Sequence, residues 1–325
     1  MKTILAIDGG GVRGLIPAMI LQEIEKRTNM PISELFDVVA GTSTGGILAS
    51  TISAPGIGKK KPKYTASDMC GFYKTLGSDV FQRSLWHKIK TGWGLWGSKY
   101  ISDGPRQLTK KLVGDLKLTD GLTDIVVTAY DLEKSEPYLI SSLNPDHKDL
   151  LMEDAVLSTT CVPAFFPPMK KTINNREVAL VDGSIFAVDP ALCGYKEAYE
   201  EGEEILMISL GTGETKIDIN HEKCKKWGFL QWFFSLKAIE IIFDGSTDST
   251  GQIVKSLIEK NSGSYYRVQA YAPAHMYVSI DSTSRGNIDK TVKLAEQCIK
   301  ENHELINEIC RKLILAHLKR KLNNV

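Results

Sequence analysis

Apolar residues along this chain alternate between two rhythms. Short unbroken runs of strand length occur at Thr3 to Ile7, Phe36 to Ala40, Ile125 to Ala129, Pro137 to Ile140, Val178 to Val181, Ile205 to Leu210 and Tyr265 to Tyr271. Stretches with helical spacing lie between them. Leu15, Ala18, Met19, Leu21 and Ile24 share one face of a helix that reaches about Arg27 and is stopped by Pro31. A second helical run is Gly46 to Ile52, and Ser67-Asp68 can cap a third through about Phe81. Asp103, followed by Gly104-Pro105, caps a helix to Leu112. Further helices are expected near Ala191 to Glu200 and over Thr250 to Glu259. Ile288 to Leu322 reads as one long amphipathic pattern, with Ile288, Val292, Ala295, Ile299, Ile306, Ile309 and Leu313 on one stripe. Its basic end suits the negative pole of a helix C-terminus. With no repeat, low-complexity tract or linker, the pattern predicts one domain over residues 1–325 with a C-terminal helical elaboration from about 220.

Three junctions carry candidate chemistry. The first is Gly41-Thr42-Ser43-Thr44-Gly45, between an apolar strand and a helix. That setting turns G-x-S-x-G into a nucleophile elbow, with the serine oxygen at the positive end of the following helix. The second is Asp8-Gly9-Gly10-Gly11-Val12-Arg13-Gly14, after the first strand and before the first helix. Consecutive glycines there leave backbone N–H groups free for an anion or for the oxyanion of acyl transfer. Gly9-x-Gly11-x-x-Gly14 also fits the dinucleotide fingerprint, but the next strand ends at Ala40-Gly41 without the acid that would hold a ribose. The Gly-Lys-Ser/Thr of a phosphate loop is absent as well. The third junction is Asp182-Gly183, an acid at the carboxyl end of a strand, where open α/β sheets place their sites.

Together these motifs resemble the patatin-like phospholipases. Ser158-Thr159-Thr160-Cys161-Val162-Pro163-Ala164-Phe165-Phe166-Pro167 is similar to that family's stretch before its acid, and Ser209-Leu210-Gly211-Thr212-Gly213 to its later S-L-G-T-G turn. The motifs span residues ~3 to 215 in family order. The resemblance implies a three-layer α/β/α sandwich with a mainly parallel central sheet. It implies Ser43 as nucleophile, Asp182 as sole partner acid, Gly9, Gly10 and Gly11 as the oxyanion hole, and Arg13 as a possible helper. It implies a phospholipid or other glycerolipid substrate and no cofactor or metal. The chain departs from the pattern at Ser184 and at Val188-Asp189-Pro190.

A Ser-Asp pair makes chemical sense without histidine only if the acid is poised as a base, since an ordinary Asp has a pKa of ~3.9. Two other readings stay open. A Ser-His-Asp esterase of α/β-hydrolase type would recruit His275, and a partner- or second-messenger-regulated lipase effector would use the same residues under control.

Composition narrows the partners. The chain has 325 residues, 42% hydrophobic and 24% charged, and a formal net charge of +1, without a basic block that would favour nucleic acid. Six scattered cysteines form no C-x-x-C pair, which points to reduced thiols in a cytoplasm. Asp8 ends the first apolar run too early for a signal-peptide core. No stretch approaches the ~20 apolar residues of a membrane span. Peripheral membrane contact is expected instead. Trp86, Trp93 and Trp96 interleave with Lys88, Lys90 and Lys99 in a segment that suits a lipid interface or a cover over the site. Pro55 to Lys63 is a loop with a basic run, and Lys225 to Phe243 a second apolar region, suited to a core helix or an acyl-pocket wall.

Overall fold

The computed structural model describes residues 1–75, 103–215, 221–228, 231, 237–273 and 276–323. The tryptophan–lysine segment and His275 lie outside the described residues, as do residues 229, 230 and 232–236 of the second apolar region.

The apolar runs become strands β1 (Lys2–Ile7), β2 (Val38–Gly41), β3 (Asp124–Asp131), β4 (Glu136–Ser141), β5 (Met169–Ile173), β6 (Arg176–Asp182), β7 (Ile205–Leu210), β8 (Glu214–Thr215), β9 (Ser264–Val268) and β10 (Tyr271–Ala272). The helices are α1 (Leu15–Thr28), α2 (Ile32–Leu35), α3 (Thr44–Ser53), α4 (Ala66–Thr75), α5 (Asp103–Val113), α6 (Met152–Thr160), α7 (Ala191–Ala198), α8 (His221–Cys224), α9 (Lys237–Lys260), α10 (Arg285–Glu301) and α11 (His303–Asn323).

Eight strands form the central sheet in the order β5-β6-β3-β2-β1-β7-β9, with β4 also on β3. The stretch β3-β2-β1-β7-β9 is parallel, whereas β4, β5 and β6 join antiparallel. Helices cover both faces, so β1 is apolar throughout and its side chains alternate between two cores. Leu5 and Ile7 pack with Leu15, Leu48 and Leu294 on one side. Ile4 and Ala6 pack with Ala191, Val254 and Ile258 on the other. This is the three-layer α/β/α arrangement that the motifs led us to expect.

Three elements depart from the sequence reading. β5 was not foreseen: it pairs with β6 through Asn174-Asn175, both at positive φ, a two-residue hairpin turn. The run Tyr265 to Tyr271 is two strands, because Gln269 Oε1 accepts the Gly213 N–H at 2.9 Å and the chain then leaves β7 to pair with β8. The long C-terminal pattern is two helices, broken at Asn302, whose side chain donates to the Cys298 carbonyl at 2.9 Å. Ile306, Ile309 and Leu313 of α11 belong to the same core as α1, and the Arg320 guanidinium pairs with Asp37 just before β2.

That shared core makes the single-domain expectation testable. Leu313→Ala is expected to lower the stability of the whole protein by about 2–5 kcal/mol within a single cooperative transition in urea. Two transitions, with only one displaced, would separate the C-terminal helices from the rest.

Candidate active site

Register along β3 brings the serine and the acid together. Strand β2 lies parallel to the first half of β3 and ends with Gly41 opposite Val127. Strand β6 runs antiparallel along the second half and ends with Asp182 opposite Ala129. Because β4 occupies β3 from Val126 to Asp131 on the other side, β2 and β6 share one edge and meet end to end. Ser43 lies two residues beyond Gly41, so the nucleophile turn runs straight into Asp182.

The turn itself is tight. A Cβ on Gly41 would stand 2.3 Å from the Gly45 carbonyl group, and one on Gly45 would stand 2.0 Å from the Ile7 oxygen. Ser43 adopts φ 54°, ψ −121°, a strained setting for a residue with a side chain. Several bonds hold it. Thr159 Oγ1 accepts the Ser43 N–H at 2.8 Å. The Thr42 hydroxyl donates to the Ala187 carbonyl at 2.7 Å and lies 2.7 Å from the Thr128 hydroxyl. Thr44 pairs with the Tyr73 hydroxyl.

Asp182 is fully buried. Its Oδ1 accepts the Ser184 N–H at 2.8 Å, while Oδ2 has no hydrogen-bond partner. Burial raises the pKa of this acid to about 6. The Ser43 hydroxyl is the first of the influences that draw it back down, yet the two groups do not meet with full hydrogen-bond geometry. Such contacts in ligand-free sites are commonly long and tighten around substrate.

Beside the serine, the glycine turn is clamped from two sides. Thr212 of the S-L-G-T-G turn donates its hydroxyl to the Gly9 carbonyl at 2.7 Å, and Ile280 accepts the Val12 N–H at 2.8 Å. A side chain on Gly10 would strike Thr212, and Gly11 sits at φ 58° with no room for a Cβ beside the Ile280 carbonyl. The expectation for Gly9 needs correction. Its N–H donates to Val188 O at 3.0 Å and is not available to a ligand. The N–H groups of Gly10, Gly11 and Thr44 have no partner among the described residues. At two of the chain's departures from the family pattern the bonds just described come from the main chain, the Ser184 N–H and the Val188 carbonyl.

Ser43, Gly9, Gly10, Gly11 and Arg13 all line a cavity of about 520 Å³, a size suited to a small-molecule ligand. One wall, from α3, α4 and α5, is apolar and includes Ile47, Leu48, Met69, Phe72, Leu108 and Leu112. The wall beyond the glycine turn carries polar groups, among them Glu214, Gln269 and Asp281. No described histidine lines the cavity. The residues that sequence reasoning missed are Thr159 and Ile280. Thr159 lies inside a recognised motif, but nothing local marks its hydroxyl as the acceptor for Ser43.

The chain has recognisable relatives. The family model described as patatin-like phospholipase matches residues 5–192. Patatin-like protein 4 of Arabidopsis thaliana is 29% identical over 338 residues, which cover 93% of this chain and 84% of that protein. Patatin-like protein 2 of Oryza sativa subsp. indica is 31% identical over 351 residues, with the same two coverages. Among solved structures, VipD from Legionella pneumophila gives a loose match, with 16% identity and a TM-score of 0.39, covering 91% of this chain and 67% of that one. The chain belongs to the patatin-like phospholipase family, a family of lipid hydrolases.

Thr159 offers a test with opposite outcomes. Its Cγ2 packs where a Gly46 Cβ would be, so a packing role predicts that Thr159→Ser is the worse variant. A hydrogen-bonding role predicts the reverse, because Thr159→Val leaves the Ser43 N–H buried and unpaired, at about 1–3 kcal/mol. We expect Thr159→Val to lose at least about tenfold in kcat on a short soluble ester and Thr159→Ser to stay near wild type.

Proposed function

We propose that the protein is a serine acyl hydrolase of phospholipase A type, acting on glycerolipid esters through Ser43 and Asp182. The observation that carries this reading is the strained Ser43 turn abutting a buried carboxyl whose Oδ2 is unpartnered. A buried acid with a pKa near 6 is a far better base at neutral pH than an exposed Asp. The acyl chain of the substrate lies along the apolar wall of the cavity, with its ester carbonyl at Ser43. Asp182 takes the hydroxyl proton as Ser43 Oγ attacks. The oxyanion is held by the N–H groups of Gly10 and Gly11, at roughly 3 kcal/mol for each donor. The proton then passes from Asp182 to the leaving alkoxide, and lysolipid departs. Water, deprotonated by Asp182, attacks the acyl-Ser43 ester, Asp182 returns that proton to the leaving Ser43 oxygen, and fatty acid is released. Arg13 lines the cavity wall beside the glycine turn. No helix of the described residues is long and apolar enough to cross a membrane, and contact with lipid is peripheral in this reading.

Incubation with mixed phospholipids, followed by mass analysis, should show fatty acids and lysolipids. A fluorophosphonate probe should label wild type and not Ser43→Ala. Equal labelling of both proteins would remove Ser43 from the mechanism.

The raised acid adds a pH signature. Only ionised Asp182 is a base, so kcat/KM should rise with pH through about 6 and then level off. The folded state holds this proton more tightly than the unfolded chain does. Its contribution to stability is therefore present at low pH and lost as pH rises from about 4 to about 6. The cost at neutral pH is about 3 kcal/mol as an upper bound. Asp182→Asn should abolish turnover and unfold at a higher temperature than wild type at pH 7. A less stable Asp182→Asn protein would mean that the carboxylate is not a burden on the fold.

A further inference from the structure

We propose that Arg267, which lies beyond the family-matched residues, is the positioning residue of the oxyanion turn. This rests on the reading of Gly10 and Gly11 as oxyanion donors. Arg267 stands on β9 with its side chain only 20% exposed. Its guanidinium grips both oxygens of Asp8, Nη1 to Oδ1 at 2.8 Å and Nη2 to Oδ2 at 2.5 Å. Nη1 also donates to Ser209 Oγ at 2.7 Å and lies 3.5 Å from Asp189 Oδ2. Asp8 and Asp189 are both almost wholly enclosed.

The two acids stand at the two places that set the geometry of the site. Asp8 is the residue from which the glycine turn departs, with its own N–H bonded to Leu210 O at 3.0 Å. Asp189 belongs to the loop after the catalytic acid. That loop accepts the Gly9 N–H through Val188 O and the Thr42 hydroxyl through Ala187 O. Asp189 also opens α7, with its Oδ1 accepting the Ala191 N–H at 2.8 Å. One guanidinium thus ties the start of the oxyanion turn to the loop that braces both that turn and the nucleophile elbow. A planar fork is needed to hold Asp8 by both oxygens while a third and a fourth group share the same nitrogen, and an ammonium provides no such geometry.

Neutralising two enclosed carboxylates is the simpler role, and charge alone separates it from positioning. Arg267→Lys keeps the cation and loses the fork. We expect it to fold, with kcat on a short soluble ester lowered at least about tenfold, in line with the sensitivity of catalysis to small misplacements. KM should stay within about twofold, and amide hydrogen exchange should be faster in the segment 5–14 than in wild type. Should Arg267→Lys fail to fold, Ser209→Ala decides. It removes one acceptor of Arg267 together with a donor to Asp189, and no charge, and the same kcat-only loss is expected at about threefold. A folded Arg267→Lys with unchanged kcat overturns the proposal, as does a loss confined to KM. Where Arg267→Lys is not folded, an unchanged kcat in Ser209→Ala does the same. Ser43→Ala is run alongside: if it hydrolyses the ester as fast as wild type, the reading of the site fails, whereas Ser43-dependent hydrolysis that is indifferent to Arg267 rejects only the present proposal.

Discussion

The shared edge of β3 is the constraint on which the site depends. A strand has two edges, and here one is taken by β4 along most of its length. The other is divided between β2 and β6, which arrive from opposite directions. Backbone hydrogen bonding therefore fixes where each strand stops, and their ends face each other across a gap of one residue on β3, Thr128. That Thr128 is tied to Thr42 within the gap. Ser43 and Asp182 owe their proximity to sheet register, with no long side chain reaching across.

Two kinds of buried acid sit around this junction. Asp8 and Asp189 are saturated, sharing Arg267, Ser209 and backbone donors. Asp182 has one oxygen satisfied and one not. Paired charges below the glycine turn hold atoms in place, yet burial still pushes the Asp8 carboxyl up to about 7 against that pairing, as it pushes Asp182 up to about 6. Asp8 and Asp182 thus differ in the partners they hold and not in the direction in which burial moves them. The unusual φ of Ser43 and the close approach of Gly45 to Ile7 belong to the same pattern of strain gathered at a site.

Much of this was legible because it is local. The G-x-S-x-G elbow, the glycine turn and the Asp-Gly at the end of a strand each state their geometry within a few residues. The apolar runs likewise identified most strands of the sheet. What stayed hidden depends on partners distant in sequence. Nothing near Gly9 reveals that Val188 takes its N–H, and nothing near Arg267 points to Asp8, 259 positions away. β5, Met-Lys-Lys-Thr-Ile, alternates polar and apolar weakly, and its hairpin turn is Asn-Asn rather than a glycine pair. The break at Asn302 escaped notice because the apolar stripe continues across it on both helices.

The division of the site between segments has a consequence for when the chain becomes an enzyme. Ser43 and the glycine turn belong to residues 1–53, the acid to the continuous stretch 124–182, and the arginine beneath them to a strand near the end of the chain. None of these pieces contains both Ser43 and Asp182, and the strand of Arg267 pairs, among the described residues, only with β7 of another segment. The meeting of Ser43 with Asp182 is therefore a property of tertiary closure alone, and appears when β2 and β6 both dock on β3. A chain cut before residue 182 holds the serine turn without the acid that meets it.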